Sequence, residues 1–201
     1  MTRLLPCVLA ALALLVAACA YDAPAIESDA PAPDTTLAAP MMLFDFEEPD
    51  AARWSVENDG VMGGRSEGFV DVAHSTLVFT GEVVTEGGGF TSVRAVQQVD
   101  LSEYDGIALR VRGGGRAFEI DVDDGTRSRG REVNRRGPIP TSDSWMTVRI
   151  PFDELEASAH GEPVTVDALD LAAVQSIGVY IIDGQDGPFR LEVDWIRAYQ
   201  T

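Results

Sequence analysis

The chain has 201 residues, with 33 acidic against 15 basic side chains, a formal net charge of −18 and only two cysteines. That balance opposes a phosphate backbone, whose binders need a clustered positive footprint, so nucleic acid is excluded as a partner. With 45% apolar residues and 19 glycines, the sequence is too hydrophobic for a disordered acidic tail and too rich in turn formers for a helical bundle, which leaves a β-rich globular domain.

In chain order, the first predicted element is a leader. Arg3 precedes an apolar stretch from Leu4 to Ala18, the layout of a secretory signal and shorter than the roughly 20 residues that span a bilayer. Leu15-Val16-Ala17-Ala18-Cys19 resembles a bacterial lipobox. Residues 1–18 are therefore expected to be a lipoprotein signal peptide and Cys19 the acylated residue. Stable anchoring needs more than one acyl chain. The expected location is the cell envelope, after export, on a membrane's periplasmic or surface face. Cys7 is the other cysteine, so nothing beyond Cys19 can form a disulfide or a thiolate metal site. Residues 19–40 follow as a spacer rich in alanine and proline. It carries Asp22, Glu27, Asp29 and Asp34 with no basic residue, a composition that stays extended.

Residues 41–201 are expected to form one domain. Alternating apolar runs recur at Leu43 to Phe46, Leu77 to Phe79, Ile107 to Arg112, Phe118 to Val122, Met146 to Ile150, Ile177 to Ile182 and Phe189 to Trp195. Period two means strands with one buried face. Turn signals such as Asn58-Asp59-Gly60, Gly87-Gly88-Gly89, Gly113-Gly114-Gly115 and Asp183-Gly184 separate them. Only Phe152 to Ala159 and Val166 to Val174 leave room for a helical turn. The predicted fold is all-β, an antiparallel jelly-roll β-sandwich.

Four stretches carry more than turn chemistry: Trp54 to Ser66, with the core Asn58-Asp59-Gly60-Val61-Met62-Gly63-Gly64; Gly88 to Arg94; Asp100 to Ile107; and Gly187 to Ile196. Their order and spacing resemble the complex I intermediate-associated protein 30 family across nearly all of the domain. The resemblance implies a galactose-binding-like sandwich and, for the mitochondrial members, an assembly chaperone of respiratory complex I. The sequence departs from the family at Gly113 to Arg116, where glycine stands at a position usually acidic, and over Arg127 to Pro140, which lacks the usual aromatic pattern. An exported, tethered domain could meet only the exported or membrane parts of such a complex.

Asn58, Asp59 and the glycines after them read first as a turn, since Asx side chains bond their own backbone. The functional reading gathers Asn58, Asp59, Met62, Arg65, Ser66 and Arg94 at a loop end that recognises a protein partner or ligand. Trp54, Trp145 and Trp195 are expected in the core. Catalysis finds no pattern: His74 and His160, the two histidines, lie in loops away from the motifs, and the pair Asp121 and Asp123 is what an acid-rich chain supplies by chance. Jelly-roll carbohydrate modules hold a structural Ca²⁺ between the first and last strands, and the likeness places Glu47 and Asp194 at similar positions. No other cofactor is expected. The arginines at 127, 129, 131, 135 and 136 read as internal partners for Asp121, Asp123 and Asp124, or as a loop that docks on anionic groups. The sequence thus points to a non-enzymatic envelope lipoprotein that binds a protein partner in the manner of an assembly chaperone. The alternative is a carbohydrate-binding jelly-roll module.

Overall fold

A computed structural model describes residues 39–201; the expected signal peptide, Cys19 and nearly all of the spacer lie outside the described residues. The strands, in chain order, are β1 (Met41–Phe44), β2 (Trp54–Asn58), β3 (Glu67–Ala73), β4 (Thr76–Val83), β5 (Thr91–Val99), β6 (Gly106–Arg112), β7 (Phe118–Asp123), β8 (Arg127–Ser128), β9 (Arg131–Glu132), β10 (Asn134–Ile139), β11 (Met146–Pro151), β12 (Glu156–Ala159), β13 (Glu162–Pro163), β14 (Val174–Ile181) and β15 (Gly187–Tyr199). Among the described residues there is no α-helix. Single 3₁₀ turns stand at Asp59–Met62, Phe152–Glu154 and Leu171–Ala173. The second half of the stretch expected to be helical, Glu156–Ala159, is strand β12, because it pairs with β10.

Two antiparallel sheets face each other. One has the order β11-β6-β15-β4-β3, with β1 pairing β15 beyond the end of β4; the other runs β13-β12-β10-β7-β14-β5-β2. The hairpin β8–β9 stands apart. This is the all-β jelly-roll sandwich that the alternation predicted, and each of the seven apolar runs falls on a strand. β2, β3, β5 and β10 carry no such run. Inward residues fill one core, where Phe189 meets Phe79 and Phe118 edge-on at 4.8 and 6.1 Å. Burying each such ring stabilises the fold by about 1.5–3 kcal/mol. Trp54 packs on Phe44 and Phe46 at the core's margin, at 4.9 and 5.9 Å, as expected.

The other two tryptophans correct the sequence reading. A bulge between Val193 and Trp195 turns Trp195 onto the outer face of the six-stranded sheet. There Arg197 lies 4.3 Å from its ring centroid. Trp145 carries Arg110 and Arg112 at 5.0 and 4.8 Å. Guanidinium planes cover these rings, so neither needs the core.

Candidate functional site

Strand period two puts alternate residues of β5, β7, β10 and β14 on the solvent side of the seven-stranded sheet. Those residues are polar to an unusual degree. Arg94 on β5 is the hub: its guanidinium donates to Asp121 Oδ2 at 2.9 Å, to Glu132 Oε1 at 2.5 Å and to the Tyr180 hydroxyl at 3.2 Å, with Asp123 at 3.8 Å. Register brings these groups together, since Gly178 on β14 stands opposite both Arg94 and Asp121. A Cβ at Gly178 would press on the Arg94 side chain and the Val93 carbonyl, so glycine leaves the guanidinium room to cross the strand.

Arg136, opposite Asp121 in β10, extends the network. It donates to Glu119 at 2.9 Å and to the Ser158 hydroxyl at 3.2 Å, and its guanidinium lies 5.0 Å from the Tyr180 ring centroid. Asp121 is wholly buried. Burial pushes its carboxyl up to about 6, against the pull of Arg94 and Arg136. Burial acts to lower Arg94, but the Glu132 hydrogen bond and the Asp121 charge outweigh it and hold the guanidinium above its ordinary value. Three buried polar atoms here lack a protein partner: Asp121 Oδ1, Arg136 Nε and Ser176 Oγ. Buried polar groups are ordinarily paired, so such a concentration marks a site.

A groove of about 490 Å³ opens over this network. Glu132, Asn134, Arg136 and Tyr180 line it, with Glu57, Phe90, His160 and Ile182 among its other walls. Phe90 and Tyr180 stand 6.1 Å apart. Among the described residues, neither His160 nor His74 is hydrogen-bonded through its side chain to a serine or a carboxylate. The arrangement suits recognition by ion pairs and hydrogen bonds.

The motif residues at 58–66 lie elsewhere, at the loop end of the sandwich, and are joined to one another. Asp59 is fully buried. Its carboxylate accepts from Ser66 N–H at 2.9 Å, Ser66 hydroxyl at 2.7 Å, Gly89 N–H at 2.7 Å and Phe90 N–H at 3.4 Å. Burial alone would raise its carboxyl; these donors, Gly89 foremost, hold it below the usual range. Asn58 Oδ1 accepts from Gly68 N–H at 3.0 Å and the Thr91 hydroxyl at 2.6 Å. Gly64 and Gly88 press so closely on Asp59 that no Cβ fits at either. Two motifs, with Asp59 and Gly89 30 positions apart in sequence, are thus sewn together through one carboxylate. Arg65 is exposed and pairs with Glu86 at 2.5 Å. Met62 ends the 3₁₀ turn. Asn58, Asp59 and Ser66 are brought together; Arg94 is on the sheet face with different partners.

Asp194, expected near Glu47, is engaged by Arg110 at 2.6 Å, while the Glu47 N–H bonds Asp45. Among the described residues, no three His, Cys, Asp or Glu side chains are grouped as metal ligands. The arginine run divides. Arg135 pairs with Asp124 at 2.9 Å and Arg136 with Glu119, whereas Arg127, Arg129 and Arg131 stand exposed on the β8–β9 hairpin. Asp121 and Asp123 go to Arg94, a pairing set by the register of β5, β14 and β7 rather than by any one strand's alternation.

Residues 44–193 match the sequence family described as Complex I intermediate-associated protein 30. The chain is similar to the mitochondrial protein of that name from Mus musculus, 29% identical over 181 residues, covering 76% of this chain and 54% of that protein. The Drosophila melanogaster protein is 25% identical over 190 residues, covering 77% and 61%. The chain therefore spans a little over half the length of these relatives. Among solved structures, the family 11 carbohydrate-binding module from Clostridium thermocellum, in complex with a β-1,3-1,4-mixed-linked tetrasaccharide, superposes with TM-score 0.61 at 18% identity, covering 82% of this chain and 98% of that one. A family 30 carbohydrate-binding module gives TM-score 0.53 at 19% identity, covering 81% and 100%. These likenesses carry the fold.

Proposed function

The chain belongs to the complex I intermediate-associated protein 30 family, and from that premise we propose that it is a non-enzymatic binding module whose groove on the seven-stranded sheet receives a protein partner, in the manner of an assembly chaperone. The observation that supports a protein over a glycan is the state of the aromatic rings. Sugar rings stack on bare aromatic faces, but in the groove Tyr180 carries Arg136 on its ring, and on the other sheet Trp145 and Trp195 are covered by arginines too. What the groove offers instead is the polar side chains Glu57, Glu132, Asn134 and Arg136 beside Phe90 and Ile182, the mixture typical of a protein interface. Export and acylation at Cys19 belong to the same proposal and would restrict the partner to the envelope.

The test is site-specific photocrosslinking in envelopes that contain the full chain, with the probe at Asn134 or Ile182 in the groove and at exposed Asp71 on the other sheet as a control. A discrete protein adduct from the groove positions alone is expected. Adducts of equal yield from all three positions would overturn the assignment. The second reading, a glycan ligand, is favoured by the carbohydrate-module likeness of the scaffold. It predicts saturable binding on polysaccharide arrays that Phe90→Ala removes. Acylation is read separately: labelled palmitate should enter the wild type and not Cys19→Ala, and labelling of both would refute it.

A further inference from the structure

The other sheet holds a second surface with a different character. On the outward rows of β6, β11 and β15 stand Arg110, Arg112, Arg149, Arg190 and Arg197, against only two carboxylates, Glu192 and Asp194. That is five of the fifteen basic residues of a chain whose net charge is −18. The other acids on the same sheet face, Glu67, Asp71 and Glu82, sit on the far strands β3 and β4. The positive half is therefore set apart from them.

The arginines are held for outward use. Asp194 orients Arg110, and Glu192 sits between Arg112 and Arg190. Arg149 lies on the Tyr199 ring at 5.2 Å and Arg197 on Trp195, and neither has a carboxylate partner among the described residues. Exposed Met42, opposite Arg197, adds an apolar side chain at the margin where the chain enters the sheet through β1. Toward the other end, a hollow of about 520 Å³ is lined by Arg112, Arg116 and Arg190 together with the carboxylates Asp143 and Glu192.

We propose that this face docks on the anionic phospholipid headgroups of a membrane. Arginine forks match phosphate oxygens, and tryptophan and arginine together suit the headgroup layer, which a broad sheet face can meet without a deep pocket. The acidic bulk of the chain does not forbid the approach. At physiological salt, charge is screened within about 8 Å, less than the roughly 10 Å between stacked sheets. This surface is separate from the groove on the seven-stranded sheet, so it stands or falls independently of the protein-partner reading.

The experiment is flotation of the full chain carrying Cys19→Ser, which removes acylation and leaves the leader equal in every arm. It is mixed with vesicles of phosphatidylcholine alone or with one-third phosphatidylglycerol. At about 0.1 M salt, roughly fivefold more protein is expected on the anionic vesicles, the excess disappearing near 0.5 M. Arg149→Gln with Arg197→Gln should abolish most of that excess. Arg149→Gln with Arg190→Gln, both exposed side chains, does the same should the first pair fail to fold. Arg127→Gln with Arg131→Gln, on the β8–β9 hairpin, should retain the excess. No preference for anionic vesicles, loss through the hairpin variant, or binding to a polyglutamate peptide without vesicle binding would each overturn the proposal. The last would give the face to an acidic protein.

Discussion

Two buried carboxylates separate the parts of this molecule that hold it together from the parts that can meet something else. Asp59 and Asp121 are equally inaccessible. Asp59 is surrounded by four protein donors and titrates below its ordinary range. Asp121 has Arg94 on one oxygen and nothing on the other, and its carboxyl is pushed up to about 6. A fully satisfied carboxylate fixes a loop; a partly satisfied one leaves a buried oxygen unpaired, a cost that a structural role alone does not explain. The contrast teaches that the motif carrying the family resemblance at 58–66 is read best as construction, and the sheet face beside it as the place to look for recognition.

The largest expected effect tests the first half of that contrast. Asp59→Ala strands the Gly89 N–H and the Ser66 groups in a buried site, and should cost about 3 kcal/mol or more in urea denaturation. A loss below about 1 kcal/mol would show that the loops are held by other means. The second concerns pH. Folded Asp121 keeps its proton up to about 6, while the unfolded carboxyl releases it near 3.8. Between these values the folded state binds more protons, so this group's stabilising contribution falls as pH climbs from about 4 to 6 and is level above. Asp59 runs the opposite way, its contribution being lost as pH falls through its lowered value. Stability of the wild type relative to Asp121→Asn should therefore rise by about 2–3 kcal/mol as pH drops from about 7 to 4. A flat difference would mean that Asp121 is ionised throughout.

Smaller effects sharpen the contrast. Gly64→Ala and Gly88→Ala force a methyl against the Asp59 carboxylate, whereas Gly60→Ala meets open space. The first two should lower stability by about 1–3 kcal/mol and the third by well under 1 kcal/mol, measured as denaturation midpoints. Arg65→Ala breaks a solvent-exposed pair with Glu86 and should stay within about 0.5 kcal/mol of wild type. Chelation is expected to leave the melting temperature unchanged, because Asp194 is already engaged by Arg110. A fall of several degrees on adding chelator would restore the calcium expectation.

Alternation made much of the sandwich legible, because a strand with one wet face writes its geometry into the sequence. It failed where a charged side chain takes a place on the inward row. β10 reads Asn134-Arg135-Arg136-Gly137-Pro138-Ile139, a pattern unlike a strand, since Arg135 is buried on Asp124 in the row of Gly137 and Ile139 while Arg136 faces outward onto Glu119. The Asp59 turn was visible from its Asx and glycine residues, yet its closure was not, because Gly89 lies 30 positions away. Trp195 misled for a local reason: its run alternates inward until the bulge after Val193 reverses the phase. A hydropathy pattern contains no signal for that slip. The Arg94 hub was hidden because its partners come from β7, the β9 end and β14, which only pairing register brings into one place.

β15 runs through the middle of the six-stranded sheet, clasped by β4, β6 and β1, all of which precede it in the chain. Synthesis delivers this keystone after every one of its neighbours. Until then the earlier strands of that layer wait with open edges, and long sequence separations make such closure slow. Chaperones that hold the emerging chain unfolded would therefore matter more here than for a protein whose neighbouring strands meet in order of birth.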